Sequence, residues 1–484
     1  MAAYKKQPAA RSRRLVALAV FAAWALSGCE VGPNYVRPAV DTPVAYKETV
    51  PFKPATPRDG EPRGKWWAVF NDPKLDGLLS QVEFNNQTVK AAEARVREAR
   101  ALTSEARAAL FPMVSANAAA TRAGTQTGNA TVNNGNVSLP GVRNNFNVSL
   151  DASWEIDLWG SIRRTIEASE ANAQASAADL ESAKLVAQGQ LAQDYFLLRV
   201  QDAQIRLLND TVSSYQRSLQ LTRNQYAVGV AARADVAQAE TQLKSTQAQA
   251  IDATLQRAQL EHAIAVLVGK PPADVTIEVE AVTNEFPAIP AGVPSELLER
   301  RPDVAAAERR TAAANAQIGV AEAAFFPSLT LSATGGFQNS VLSQLFSLPS
   351  RYWSIGADLA QVVFDAGLRR AQTDQAIATY DENVANYRQT ALSGFQQVED
   401  NLAALRILEQ EAAVQDEAVT AARESLTIVL NQYRAGTANY LAVVVIQAAT
   451  LSNERTALTI HGQRLTASVA LIQALGGGWS ASTL

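Results

Sequence analysis

Two hydrophobic periods alternate along this chain, and each occurs twice. Between 141 and 270, and again between 350 and 484, apolar positions recur every seven residues. Leu191, Leu198, Ile205, Val212, Leu219 and Tyr226 form the first series. Adding 207 gives Val398, Leu405, Ala412, Val419, Leu426 and Tyr433, and Leu451, Leu458, Leu465 and Ile472 continue the period. A strict seven-residue repeat predicts helices that supercoil left-handedly around neighbours. Both tracts are free of proline and rich in Ala, Gln, Leu and Glu, which favour helix. A helix from about Asp157 to Tyr226 would run roughly 105 Å. It should stop at Gly229, and its copy at Gly436, because glycine accepts the left-handed conformation of a helix end. Asn224-Gln225-Tyr226-Ala227-Val228-Gly229 recurs as Asn431-Gln432-Tyr433-Arg434-Ala435-Gly436. Each repeat therefore predicts one long helical hairpin.

The second period is two. Phe111-Pro112 and Phe326-Pro327 end Ala-rich helices, since the residue before proline disfavours helix. Strands are expected at about 112–122, 144–154, 327–337 and 352–362. Phe146, Val148, Leu150, Ala152 and Trp154 alternate with Asn147, Ser149, Asp151 and Ser153, and Trp353, Ile355, Ala357 and Leu359 with Ser354, Gly356 and Asp358. About ten residues is the length of a tilted strand that spans a bilayer. The polar stretches 121–145 and 335–351 then read as extracellular loops. Phe111, Trp154, Trp159, Phe326 and Phe364 cluster at the helix-proximal strand ends, where an aromatic girdle meets headgroups. Asp151 and Asp358 would face the lumen. A soluble sheet with one buried face shows the same period. Four strands cannot close a barrel, and open edges in lipid leave backbone groups unsatisfied. Known barrels start at about eight strands, so the pattern allows a dimer, a trimer or a tetramer.

The N-terminus supplies the address. Lys5, Lys6, Arg11, Arg13 and Arg14 precede an apolar run from Leu15 to Leu26, too short to span a membrane and suited to a cleaved secretion signal over 1–28. Leu26-Ser27-Gly28-Cys29 resembles the bacterial lipobox, so Cys29 is the expected lipidation site, carrying diacylglycerol and a further acyl chain. Glu30 after it fits sorting to the outer membrane. Removing the five cations takes the formal net charge from −4 to −9, which argues against nucleic acid as a partner. One Cys and two His offer no disulfide and no Cys/His metal cluster. No HExxH helix or phosphate-binding glycine loop is present, so no catalytic residues, resident metal or cofactor are expected beyond the lipid. An autonomous porin would have no use for the helical extension.

Further motifs run in order through the mature chain: Val31-Gly32-Pro33-Asn34-Tyr35-Val36-Arg37-Pro38, Trp66-Trp67, Trp154-Glu155-Ile156-Asp157-Leu158-Trp159-Gly160, Arg301-Pro302-Asp303-Val304, Phe325-Phe326-Pro327-Ser328, Phe364-Asp365-Ala366-Gly367 and Tyr433…Gly436…Tyr440-Leu441. With them the chain resembles the TolC-like outer-membrane efflux channels, in their lipid-anchored OprM/NodT-type branch. The resemblance implies an α+β membrane protein. It would be a homotrimeric twelve-stranded transmembrane β-barrel, continuous with a periplasmic α-helical coiled-coil barrel. Seven of the nineteen prolines fall between Pro33 and Pro62, which reads as an extended wrap. The expected organisation is a signal over 1–28, an extended equatorial segment over 29–74, a first repeat over 75–270, an equatorial linker over 271–295, a second repeat over 296–478 and a tail over 479–484. The implied task is the exit duct of a tripartite efflux pump, served by a periplasmic adaptor and an inner-membrane resistance-nodulation-division (RND) transporter. Heavy-metal export and type I protein secretion use the same fold and are the alternative.

By the same resemblance the hairpin turns carry the mechanism. Val228-Gly229-Val230 and Ala435-Gly436-Thr437 would meet the adaptor. Asp235 matches a gate-linking aspartate and Tyr433 its tyrosine partner, so both are expected to hold the closed state. Ala442 and Val445 stand where related channels often carry pore-facing aspartates, and Val445 suits an apolar constriction instead. Asp157 and Asp365 should cap the long helices.

Overall fold

The computed structural model describes residues 30–48, 65–124, 131–133, 136–138, 142–283, 286–287, 289, 294 and 299–478. The expected signal, Cys29 and the tail 479–484 lie outside the described residues. The chain folds into two compact units, one drawn from the chain up to Pro38, Arg97–Ala173 and Glu308–Ala385, the other from Ala39–Val96, Gln174–Ala307 and Asn386–Leu484.

The first unit contains an antiparallel sheet of β1 (Met113–Gly124), β4 (Val142–Ile156), β5 (Ser328–Asn339) and β6 (Arg351–Ala360), in the order β1-β4-β5-β6. All four lie within two residues of the expected bounds. A small hairpin, β2 (Thr131–Asn133) with β3 (Asn136–Ser138), stands in the stretch read from sequence as loop alone. Register puts Val114, Ala152, Ala333 and Ile355 in one row and Ser115, Asp151, Thr334 and Ser354 in the next. Side chains alternate across a strand, so one face is apolar up to Arg122, Asn144, Asn339 and Arg351 at the end away from the long helices, and the other is mainly hydroxyl- and amide-bearing.

Helices flank the strands: α1 (Pro73–Asn85), α2 (Gln87–Ala108), α3 (Ser161–Ala227), α4 (Arg233–Leu267), α5 (Pro302–Ala323), α6 (Leu368–Arg434) and α7 (Tyr440–Ala474). The duplication is residue-for-residue after the sheet: α3 and α6 have 67 residues each, α4 and α7 have 35, all offset by 207. Before it, α2 and α5 have 22 residues each at an offset of 215. The longer β1–β4 connection takes up most of the difference, and the unequal lengths of β4 and β6 and of the joints that follow them take up the rest. At 67 residues each long helix extends about 100 Å. Helix α3 starts at Ser161 because Asp157 accepts the backbone N–H of Ile162 (3.1 Å) and Arg163 (2.9 Å), and Gly160 turns with φ +85°. Asp365 accepts the N–H of Arg369 at 3.3 Å and its guanidinium at 2.6 Å. Among the described residues no helix is long and apolar enough to cross a membrane.

The segment after Cys29 is docked on this unit. The buried Arg164 guanidinium donates to the carbonyls of Val31 (3.3 Å) and Gly32 (3.2 Å) and to Asn34 Oδ1 (2.9 Å). Asn315 Nδ2 donates to the Pro33 carbonyl at 2.8 Å and the Tyr35 hydroxyl to Glu308 at 2.6 Å. Gly32 crosses Gly319 so closely that a Cβ on Gly32 would overlap the Gly319 Cα. The alanines of α3 and α5, among them Ala168, Ala171, Ala312, Ala313 and Ala316, let the two helices approach beside it.

The second unit is centred on Trp66, Trp67, Phe70, Leu75, Leu79, Tyr195, Phe196 and Leu465. Its linker is held by buried charge. Arg199 donates to the Glu278 carbonyl (2.6 Å), Arg257 to that of Ile277 (2.6 Å), and Glu261 accepts the Ile277 N–H (2.6 Å). Asp202, with a fully buried side chain, bridges both arginines. Removing one member of a buried ionic group strands the others, at about 3–5 kcal/mol.

Candidate functional site

The two hairpin turns are backbone copies. Gly229 (φ +77°) donates to the Tyr226 carbonyl at 3.0 Å and Val230 to that of Gln225 at 2.9 Å. Gly436 (φ +74°) donates to Tyr433 at 3.1 Å and Thr437 to Gln432 at 2.9 Å. Nothing lies within 4 Å of a Cβ built on either glycine, so the left-handed conformation, not crowding, calls for glycine here. Val228 and Val230 are 75% and 69% exposed, and Ala435 and Thr437 are exposed as well.

Below the turns the hairpins share a core of Tyr215, Leu219, Val236, Leu243, Val429, Tyr433, Tyr440 and Val443. A polar seam crosses it. The Tyr433 and Thr222 hydroxyls lie 3.0 Å apart, and Gln447 Nε2 donates to Ser218 Oγ at 3.2 Å. Burial pushes the Tyr433 hydroxyl above its ordinary value, and that of Tyr440 up to about 12. Both therefore stay neutral at physiological pH. Tyr433 is hydrogen-bonded to Thr222, and the Asp235 carboxylate lies near enough to raise its hydroxyl further.

Asp235 accepts the backbone N–H of Ala232 at 3.0 Å, closing the first turn of α4. In the second repeat the bond runs the other way, since Asn439 Oδ1, before the helix, accepts the Ala442 N–H at 3.0 Å. Ala232 aligns with Asn439 and Asp235 with Ala442. The first turn is thus closed by the third helical residue in one repeat and by the residue before the helix in the other. Val445 is 56% exposed and Leu441, one turn before it, 54%. The pair gives the start of α7 an apolar outer stripe.

On the polar face of the sheet Asp151 accepts from Thr334 Oγ1 (2.7 Å), Asn117 Nδ2 (2.7 Å) and Ser149 Oγ (2.8 Å). Asp358 shares this face, opposite Thr330. At the helix-proximal end Trp154 Nε1 donates to the Leu110 carbonyl (3.0 Å) and Trp159 Nε1 to that of Pro327 (2.8 Å), with Trp159 stacked on Phe326 at 4.7 Å. Phe111 and Phe364 are 70% and 86% exposed. Among the described residues no group of three His, Cys, Asp or Glu side chains could hold a metal ion.

Sequence reasoning missed the charge group around Asp202 and the seam through Thr222. Arg199/Asp202 and Arg257/Glu261 have the spacing of ordinary surface pairs, and only burial distinguishes them. Thr222 lies 211 residues from its partner.

Comparison with known proteins agrees with this architecture. The outer membrane efflux protein family matches residues 78–270 and 293–477. The solvent efflux pump outer membrane protein SrpC of Pseudomonas putida is 32% identical over 475 residues, covering 96% of this chain and 98% of that protein. The probable efflux pump outer membrane protein TtgC of the same species is 30% identical, covering 98% and 97%. Among solved structures the outer-membrane channel OprN superimposes with a TM-score of 0.86 at 31% identity, covering 93% of this chain and all of that one. The Campylobacter jejuni CmeC outer membrane channel gives 0.87 at 25% identity, covering 94% and 96%. The fold, a four-stranded sheet with paired long helical hairpins, is that of the trimeric TolC-like channels. The chain belongs to the outer membrane efflux protein family and is an outer-membrane efflux channel protein.

Proposed function

We propose that three copies of this chain close a twelve-stranded barrel and serve as the passive exit duct of a tripartite pump for small toxic compounds. One observation carries the reading: the sheet has an apolar face, a polar face and two unpaired edges, β1 and β6. Such edges are tolerated in lipid only when neighbouring copies pair with them. The polar face then lines the lumen, where Asp151 and Asp358 favour cations over anions. Acyl chains on Cys29 anchor each copy, and the docking of residues 31–35 on Arg164 and Asn315 supports an anchor held close to the barrel.

The exposed turns at Val228-Gly229-Val230 and Ala435-Gly436-Thr437 suit packing against the helical tips of a periplasmic adaptor. An RND transporter supplies the driving force. Small solutes as cargo are supported by the solvent, toluene and antibiotic pumps named among the relatives. Leu441 and Val445 form the resting seal, Tyr433 with Thr222 ties the two hairpins together, and Asp235 fixes the turn of the first hairpin as Asn439 fixes that of the second. No chemistry is catalysed.

Purified protein in planar bilayers should give small, cation-preferring conductance. Deletion of the gene should sensitise cells to dyes, solvents or antibiotics. Unchanged susceptibility despite an expressed pump would remove the efflux assignment, and processing that resists globomycin would remove the lipid anchor.

A further inference from the structure

The apolar face of the sheet carries no charge over most of its height. Positions 114–120 of β1, 146–156 of β4, 329–337 of β5 and 353–359 of β6 that share this face are all uncharged. The first charges on it are Arg122 and Arg351, both cationic and both exposed. Each lies at the end of its strand away from the long helices, next to the 125–141 and 340–350 connections. They belong to β1 and β6, the two edge strands. Neither has an ion-pair partner among the described residues.

Beside Arg351 the connection folds back onto the same face. Arg351 pairs in register with Phe337, and Phe346 packs edge-on against Phe337 with ring centroids 5.6 Å apart. Phe346 is 70% exposed and Leu348 80%. Arg351 therefore shares its row with Phe337, on which the uncovered Phe346 packs, and Leu348, three residues before Arg351, is uncovered as well. Arginine is costly at a bilayer midplane and tolerated near the interface, so each marks the approach to the headgroups, Arg351 in the row of Phe337, Val148 and Ala118 and Arg122 four residues further along β1. A guanidinium there favours phosphate, which it can bind through paired N–H donors.

We infer that Arg351, Phe346 and Leu348, with Arg122 on the other edge strand, form a binding surface for the phosphorylated headgroup and upper acyl chains of an outer-leaflet glycolipid. The inference rests on the outer-membrane barrel proposed above. The phosphate neutralises the guanidinium, the acyl chains cover Phe346 and Leu348, and the site repeats at each seam between copies. An uncharged lipid would satisfy only half of this surface.

The test uses the full-length acylated protein, delipidated in detergent and examined by native mass spectrometry. The probes are diphosphoryl lipid A, dephosphorylated lipid A, phosphatidylglycerol and inorganic phosphate. Saturable adducts with diphosphoryl lipid A are expected, with at least ten-fold weaker binding of the dephosphorylated form and of phosphatidylglycerol. Arg122→Gln/Arg351→Gln should lose at least ten-fold in affinity, Phe346→Ala/Leu348→Ala several-fold, and Arg351→Lys no more than about three-fold. Displacement of lipid A by millimolar inorganic phosphate would reduce the site to a simple anion site and overturn the inference. So would equal binding by the arginine-free variant or by phosphatidylglycerol. Oligomer size and conductance of the variants report folding. Lipid contact with spin labels at positions 150 and 355 tests the barrel separately: its absence sinks the barrel, whereas its presence with arginine-independent binding sinks only the lipid site.

Discussion

The Tyr433 hydroxyl stands 3.0 Å from that of Thr222, joining the end of α6 to the end of α3 across a buried seam. Hairpins held by neutral hydrogen bonds, this one and that of Gln447 to Ser218, and by a shared apolar core part more cheaply than hairpins locked by a buried ion pair, because each polar group can turn to water. That suits the gated tip proposed above.

Tyr433→Phe should cost about 1 kcal/mol of closure, roughly a five-fold shift toward the open tip. Single-channel recordings should show more open time, and cells more antibiotic entry. Thr222→Val should do the same, and the double variant no more than either alone. Additive effects would mean that the two hydroxyls act separately.

Asp235→Ala should loosen the first turn of α4 by about 0.5–2 kcal/mol, since a backbone N–H loses its acceptor. Adding Ala232→Asn, which copies the cap that Asn439 provides in the second repeat, should restore a quiet channel. If the double variant leaks as much as Asp235→Ala, the carboxylate does more than cap.

Gly32→Ala places a methyl group into the Gly319 backbone at a φ of +98°. A loss above about 3 kcal/mol is expected at such a site. Far less mature protein should reach the outer membrane, whereas Gly77→Ala, with open space around it, should accumulate normally. The amount of assembled oligomer in membrane fractions decides this.

His461 donates from Nε2 to the Thr283 carbonyl at 2.7 Å and packs against Phe286 at 5.0 Å. A carbonyl only accepts, so the neutral ring carries its proton on Nε2. Burial lowers its pKa below the ordinary 6.5 and Arg464 lowers it further, against the Thr283 bond and Asp416. The folded state therefore binds fewer protons than the unfolded one, and stability falls as pH drops through about 6.5, levelling off below the folded value. His461→Gln should flatten the thermal stability profile across that window. An unchanged slope would assign the pH dependence to other groups.

The parts of this fold legible in sequence are those written as a period. Seven-residue spacing located the hairpins, because each apolar position of α3 and α6 must meet a neighbour. Alternation located the strands to within two residues, because one face must be apolar over most of its height. Features made by contacts between distant segments left no such trace. Asp235 and Ala442 look like a gain or loss of charge until each is seen to close its turn with the residue before the helix, Ala232 or Asn439. Arg199 and Asp202 read as a surface pair until the linker closes over them. Gly32 is one glycine among 25 until it meets Gly319.

The strand order has a consequence for how such a ring comes to be built. β4 and β5, adjacent inside the sheet, come from different repeats, and so do the edges β1 and β6. Every joint around a closed wall therefore links a first-repeat hairpin to a second-repeat one, whether the joint lies within a chain or between chains. A half-length ancestor could have made the same wall from six copies. Fusion halves the number of partners that must find each other, and it lets a substitution occur at alternate places around the ring. A change in one half then moves every second hairpin while the others stand still.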